Sequence, residues 1–417
     1  MKIIVQKFGG TSLATPENQQ MAVDKIVSAI KNGYRPVVVV SAMGRNGSPY
    51  ATDTLKNLLS IDGTMTDSRH MDLLLSCGEV ISAVILSSKL QKTGYESEAL
   101  TGWQAGIVTN DHFGCAEILS IEKEVLRSYL DKNIVPVVTG FQGMTMNREI
   151  TTLGRGGSDT TAAALGAALS AECVEIYTDV DGIMTADPRV VQDACILDEI
   201  HYDEVFQMAD QGAKVIHPRA VEIARQNNLS LRIKNTHSDH PGTLICSQRQ
   251  HFDLRYAAKD PQNLLTAVTQ KNNISQVIIF KMETGLQDES RLFSKMADLG
   301  ISIDMINFSP ERKMFTIDEE KVSALKHLLM DYPVKFKVTT DLSKVTVIGN
   351  RMTGIPGVMA TVFSALAEEG IRILQSSDSH ATISCLVREN EASKAVQNLH
   401  RFFNLHNKKF QSPFQTF

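Results

Sequence analysis

Paired glycines close to a basic side chain occur twice in this sequence. The first stretch is Lys7-Phe8-Gly9-Gly10-Thr11-Ser12. Paired glycines let the backbone approach a ligand and aim amides at it, and a lysine there offers a point positive charge to phosphate. A tight strand-to-helix turn with a solvated lysine explains the same residues. The second stretch is Gly154-Arg155-Gly156-Gly157-Ser158-Asp159-Thr160-Thr161, ahead of the small-residue run 162–168. Amides and dipole at a helix start form an anion site, and Arg155 suits a bidentate clamp on a carboxylate. Ser158 or Asp159 as an ordinary helix cap accounts for part of this motif, but not for the arginine among three glycines. Neither stretch is a G-x-x-x-x-G-K-[ST] loop or a G-x-G-x-x-G dinucleotide fingerprint.

A third stretch, Thr178-Asp179-Val180-Asp181-Gly182-Ile183-Met184-Thr185-Ala186-Asp187-Pro188-Arg189, follows an apolar run and is crowded with turn formers. Asp179 and Asp181 suit either Mg²⁺ near a nucleotide or turn-closing Asx hydrogen bonds, and both readings stand. Shorter pieces are Ser41-Ala42-Met43-Gly44, Tyr50-Ala51-Thr52-Asp53-Thr54, Ser76-Cys77-Gly78-Glu79 and Gly212-Ala213-Lys214-Val215-Ile216-His217-Pro218-Arg219. Glu79 alone reads as an acid in a helix's first turn, and His217 before a proline reads as structural.

Parallel strands covered on both faces are what must hold these stretches in place. Runs at 2–8, 35–41, 133–139 and 173–178 are continuously apolar, and helix-like segments at 16–31, 72–93 and 158–169 alternate with them. Such alternation predicts an α/β fold with an open, mostly parallel sheet sandwiched by helices, its ligands beyond the carboxyl ends of the strands. After about residue 235 the character changes to a stretch rich in His, Pro, Gly, Asp and Gln. Beyond it, residues 291–303 match 361–373, with Phe, Ser, Ala, Gly, Ile and Ile in register and a strand-like run before each copy. Helix, glycine stop, strand, given twice, predicts two small α/β modules.

The chain has 417 residues, which bounds it to roughly two or three domains. With 43% hydrophobic and 21% charged residues it has globular composition, and a formal charge of −5 gives no sequence-wide attraction for nucleic acid or anionic membrane. No apolar run is expected to reach the roughly 20 residues of a membrane span, and the first residues become charged too soon for a signal peptide. Six scattered cysteines without C-x-x-C make zinc and disulfides poor choices, so a cytoplasmic location is expected.

Together these motifs resemble the aspartokinases of the amino-acid kinase superfamily. KFGGTS, SAMG, YATDT, SCGE, GRGGSD, TDVDG-x-x-TADPR and GAKVIHPR stand in that family's order, and the two repeats look like its ACT regulatory domains. The implied reaction is transfer of the ATP γ-phosphoryl group to the β-carboxylate of L-aspartate, which opens synthesis of diaminopimelate, lysine, methionine and threonine. By resemblance, Lys7, Arg155 and Asp159 are catalytic. Ser41, Thr52, Glu79, Arg155, Gly156 and Ser158 surround the amino acid. Lys7, Phe8, Gly9, Gly10, Thr178, Asp179, Gly182, Met184, Asp187, Arg189 and Lys214 line ATP, with Mg²⁺ carried by the nucleotide and no protein metal site. Position 184 is often aromatic or aliphatic in the family, so methionine is a departure there.

The resemblance divides the chain into a catalytic domain at 1–245, a linker at 246–266, and ACT domains at 267–341 and 342–417, with a late strand near 407–410 completing the first. Gly354-Ile355-Pro356-Gly357 resembles an effector loop, whereas the first repeat lacks the Pro-Gly. An amino-acid feedback effector and a homodimer through the ACT domains are implied. The inhibitor stays open among lysine, threonine and diaminopimelate, the tail departures leaning toward the last. A non-catalytic sensor and a kinase for another acidic substrate are the competing readings. The presence of Lys7, Arg155 and Asp159 together argues against the first, and KFGGTS with SCGE and a paired tail against the second.

Overall fold

The computed structural model describes residues 1–59, 67–211, 216–247, 265–280, 286–349, 352 and 356–407. The main sheet has eight strands: β1 (Lys2–Phe8), β2 (Tyr34–Val40), β3 (Ser97–Leu100), β6 (Val135–Thr139), β9 (Cys173–Thr178), β10 (Glu199–His201), β11 (Leu231–Asn235) and β12 (Thr243–Cys246). Their order is β10-β12-β11-β9-β1-β2-β6-β3. Every pair is parallel except β11 with β12. A smaller sheet of β4 (Ile107–Thr109), β5 (Ile118–Ile121), β7 (Gln142–Thr145) and β8 (Ile150–Thr152) lies beside it.

Continuous apolar runs became strands because helices cover both faces. Val37, Val38, Val39 and Val40 are all fully buried. One covering helix is α1 (Pro16–Lys31), capped by the Thr15 side chain. Another is α5 (Gly157–Leu169), whose alanines let it ride low on the sheet. At Gly166 a Cβ would meet Val174 Cγ2 at 2.4 Å, so glycine is what allows that approach. The expected helix 72–93 begins earlier, as α3 (Ser68–Lys92), because the Asp67 side chain caps it by accepting the Arg69 amide. This helix is long and apolar enough, by length and composition, to cross a membrane, which corrects the reading that no run reached that length. Half of its apolar window is buried inside the fold, where Leu75, Ala83, Leu86 and Leu90 pack inward.

The tail forms one antiparallel sheet of six strands. Its centre is two long strands, β13 (Leu265–Phe280) and β16 (Phe336–Gly349), each serving both modules. Residues 274–280 of β13 pair with 336–342 of β16 and with β15 (Arg312–Asp318), which pairs with β14 (Asp304–Phe308). Residues 265–271 pair with 344–349, beside β18 (Thr382–Arg388) and β17 (Gln375–Asp378). The order is β14-β15-β13-β16-β18-β17. Strand pairing therefore crosses the chain-order boundaries expected at 266/267 and 341/342, since the first module is nested between two strands of the second. Each module has its own core: Val277, Leu292, Phe315 and Leu325 in one, Val268, Val347, Val362, Val396 and Leu399 in the other. Both repeat helices end alike. Gly300 and Gly370 adopt φ of +63° and +69°, and the following Ile301 and Ile371 amides bond back to Met296 and Leu366. The late strand expected near 407–410 falls almost wholly outside the described residues; Asn407 closes a short 3₁₀ turn.

Candidate active site

The carboxyl ends of β1, β2, β6 and β9 meet the start of α5. Phe8 is buried and stacks on Tyr177 of β9, with ring centroids 4.8 Å apart, so Phe8 packs under the site rather than facing it. The chain then turns: Gly9 donates its amide to the Tyr177 carbonyl at 3.1 Å. At Gly10 a Cβ would stand 2.6 Å from the carbonyl oxygens of both Ala42 and Gly44. Only glycine lets this turn lie against the one after β2. Lys7, at the end of β1, reaches the first turn of α5, where Nζ lies 2.6 Å from Asp159 Oδ1. Both side chains are largely buried, at 12% and 13% exposure. Charge holds this pair, for Asp159 Oδ1 has no aligned hydrogen bond.

No side chain caps α5; its N-cap is Gly156, in the left-handed region at φ +70°. Ser158 and Asp159 are therefore not the cap that a purely structural reading supposes. A Cβ at Gly140, just past β6, would meet Ser158 Cβ and Oγ at 2.8 Å. Arg155 projects as an exposed cation with no ion pair or hydrogen bond among the described residues. Its loop is held from behind by Asp72, which no motif singled out, and by two residues of the GAKVIHPR stretch, Arg219 and His217. Asp72, fully buried in α3, accepts from the Gly114 amide at 3.0 and 2.9 Å, the Thr152 amide at 2.8 Å and the Thr152 hydroxyl at 2.7 Å. Arg219 donates to the carbonyls of Leu153 and Ala116, each at 3.2 Å. His217 caps α7 (Pro218–Gln226) by accepting the Arg219 amide, and its ring abuts Gly156, where a Cβ would be 2.2 Å from Cγ. Burial holds its imidazole below the usual range despite nearby Asp159. The signal for Asp72 was an aspartate opening an apolar helical run.

Glu79 is not the exposed first-turn acid that its sequence neighbours suggested. It lies mid-helix in α3, about three turns from the start at Ser68, and is 2% exposed because that face of the helix packs on the turn after β2. Gly78 makes the approach possible, since a Cβ there would be 2.8 Å from Ala42 Cβ. Glu79 Oε1 accepts the Ala42 amide at 3.0 Å, and Oε2 is buried with no partner. Burial pushes this carboxyl up to about 8. An unpartnered acceptor of this kind suits a ligand ammonium group. Ser41, whose amide bonds to the Phe8 carbonyl at 3.1 Å, and Thr52, which opens α2 (Thr52–Leu58), are half-buried nearby in sequence.

Of the residues expected to line a nucleotide, Thr178 ends β9 and donates to Asp179 at 3.2 Å, and Asp179 pairs with Arg45. Asp181 accepts from Asn235 at 2.9 Å and Ser238 at 2.5 Å, bonds that hold its carboxyl below the ordinary range. Asp181 thus does turn chemistry. Gly182 is a packing glycine, where a Cβ would meet Thr243 Oγ1 at 2.5 Å. Arg189 grips Asp187 in bidentate fashion, with Nη2 at 2.6 Å and Nε at 3.0 Å. A cavity of about 550 Å³ runs between Met184, Asp187, Arg189 and Met208 on one side and Val268 and Thr269 of β13 on the other. Lys214, and Gly354 and Ile355 of the expected effector loop, lie outside the described residues. Pro356 and Gly357 are exposed ahead of the helix Val358–Glu368, Gly357 with φ +99° and open space where a Cβ would be.

A parallel sheet with a lysine and glycine turns on one rim defines a member of the amino acid kinase family, whose model matches residues 2–235; an ACT domain model matches 337–401. Aspartokinase 1 of Bacillus subtilis (strain 168) is 45% identical over 405 residues, 97% of this chain and 100% of that protein. The aspartokinase of Geobacillus stearothermophilus is 39% identical over 97% of this chain and 98% of its own. The crystal structure of E. coli aspartokinase III in complex with aspartate and ADP matches with a TM-score of 0.76 at 27% identity, covering 96% of this chain and 99% of that one. The same enzyme with lysine and aspartate matches at 0.76 and 28% identity, covering 97% and 100%. The chain belongs to the aspartokinases.

Proposed function

We propose that this chain phosphorylates the β-carboxylate of L-aspartate from ATP, giving 4-phospho-L-aspartate and ADP under feedback control through its ACT modules. The observation that carries the reading is the Lys7–Asp159 pair beneath two glycine turns, with the buried, unpartnered Glu79 oxygen on the same rim of the sheet. A carboxylate is already a nucleophile at neutral pH, so the site needs no strong general base. It needs in-line positioning and neutralised charge. Asp159 aims the Lys7 ammonium at the transferring phosphoryl oxygens, and the Gly10 amide adds a donor; the Gly9 amide, expected to do the same, is already given to the Tyr177 carbonyl. Arg155 holds one aspartate carboxylate in a fork, and Glu79 takes the substrate ammonium, with Ser41, Thr52, Gly156 and Ser158 closing around it. Thr178, Asp179, Met184, Asp187, Arg189 and Lys214 line the nucleotide, and Gly182 shapes their loop.

Among the described residues no group of three His, Cys, Asp or Glu could hold a metal ion, and Asp179 and Asp181 are engaged by Arg45, Asn235 and Ser238. With both carboxylates held by protein partners, this reading leaves Mg²⁺ on the ATP phosphates. The same reading takes the protein as a cytoplasmic homodimer. Six free cysteines agree with a reducing compartment. The outer strand β14 carries exposed Ile306 and Phe308, a sheet edge that a second copy would cover. ADP release measured with aspartate, with glutamate and with no acceptor tests the activity. Equal rates with glutamate, or none with aspartate, would remove it.

A further inference from the structure

The loop read as nucleotide-lining is anchored on the regulatory tail. Thr185, between Met184 and Asp187, is fully buried. Its Oγ1 accepts the Cys195 amide at 3.0 Å and lies 2.9 Å from Nε2 of His400. Its carbonyl accepts the Val268 amide of β13 at 2.8 Å. His400 stands in the last turn of α11 (Glu389–Phe402), the final tail helix, and is 2% exposed. Two more bonds follow the same seam: Gln397 donates to the Val190 carbonyl at 2.8 Å, and the Cys195 thiol to the His406 carbonyl at 3.1 Å. Ala186 and Val191 pack into the tail's own apolar core beside Val396 and Leu399.

We infer that His400 is a positioning residue for the nucleotide: through Thr185 it sets where Met184, Asp187 and Arg189 stand. A buried imidazole costs desolvation that a leucine would not, so packing alone does not call for histidine there. Burial also holds its ring down to about 4, hence neutral, and Thr185 Oγ1, already an acceptor for Cys195, has its proton left to give Nε2. The inference rests on the proposed reading of residues 178–189 as nucleotide-lining.

Steady-state kinetics on the full chain test it. His400→Leu should raise KM for ATP about fivefold or more, leaving KM for aspartate and kcat within about twofold, as loss of one buried hydrogen bond predicts. His400→Gln, whose amide reaches the Nε2 position, should restore KM for ATP. Thr185→Val, which also takes the acceptor from the Cys195 amide, should raise KM for ATP at least as much as His400→Leu, and the double variant should be no worse than Thr185→Val alone. An unchanged KM for ATP in folded His400→Leu, a His400→Gln as impaired as leucine, or additive effects in the double variant would each overturn the inference and leave a packing role. Should His400→Leu not fold, Thr185→Val decides, with Thr185→Ser, which keeps the hydroxyl for both partners, expected to leave KM for ATP near the parent's. Arg189→Ala separates the two layers: if it leaves KM for ATP unchanged, the nucleotide reading of the loop fails. If it raises that constant while the His400 and Thr185 variants do not, only the positioning role fails.

Discussion

Replacing Glu79 by glutamine should stabilise the substrate-free protein while impairing its use of aspartate. Burial raises this carboxyl from 4.5 to about 8, with the Ala42 amide opposing the rise. The folded state thus binds a proton that the unfolded chain releases above pH 4.5, and stability falls as pH climbs from 4.5 through 8. At pH 7 the gap of roughly 2.5 units to the unfolded value amounts to about 3 kcal/mol, which glutamine does not incur. The glutamine amide must leave a donor where Oε2 is unpartnered, so the net gain should be about 1–3 kcal/mol. That is a rise of several degrees in Tm at about pH 7–8, vanishing near pH 4.5. Aspartate binding should move the other way. Losing the anionic partner of the substrate ammonium should raise KM for aspartate about tenfold or more. In the parent, KM for aspartate should fall as pH rises from about 6 to 8, because the ammonium selects ionised Glu79, and the variant should lose that slope. Thermal unfolding from about pH 4.5 to 8.5, paired with kinetics over the same range where the enzyme is active, measures both arms. A stability difference that does not change with pH would refute the buried-charge argument, and an unchanged KM would refute the ammonium assignment.

Lys7→Ala should lower kcat on the order of 10²-fold or more with ATP affinity little changed, and an unaltered kcat in a folded variant would exclude Lys7 from charge neutralisation. Arg155→Lys, exchanging a fork for a point charge, should raise KM for aspartate roughly tenfold; a rise in KM for ATP instead would move Arg155 to the nucleotide. Gly357→Asp should relieve feedback inhibition without lowering uninhibited kcat. Any side chain is strained at φ +99°, so Gly357→Ala serves as the control, and inhibition curves with lysine, threonine and diaminopimelate should show the aspartate variant less sensitive than the alanine one. Equal sensitivity to the parent would place the effector elsewhere.

Local chemistry made much of this protein readable from its residues alone. Val37 to Val40 read as a strand covered on both faces, and the glycines at 10 and 156 marked places with no room for a side chain. The glycine stops at 300 and 370 announced two like modules, because a helix that ends in a left-handed residue needs one there. What sequence order left undecided was whatever depends on contacts between distant segments. Glu79 became a buried, elevated carboxyl only because α3 packs on the β2 turn, and Asp72 became the anchor of the Arg155 loop only because Gly114 and Thr152 converge on it. Asp179 and Asp181, equivalent on paper, were separated by their partners: an exposed arginine for one, an asparagine and a serine for the other. The nesting of one module within the other, and the bond from His400 to Thr185 across 215 positions, were likewise decided by the tertiary fold. Periodicity and turn chemistry act between neighbours in the chain, whereas burial, charge pairing and strand register across a sheet are properties of neighbours in space.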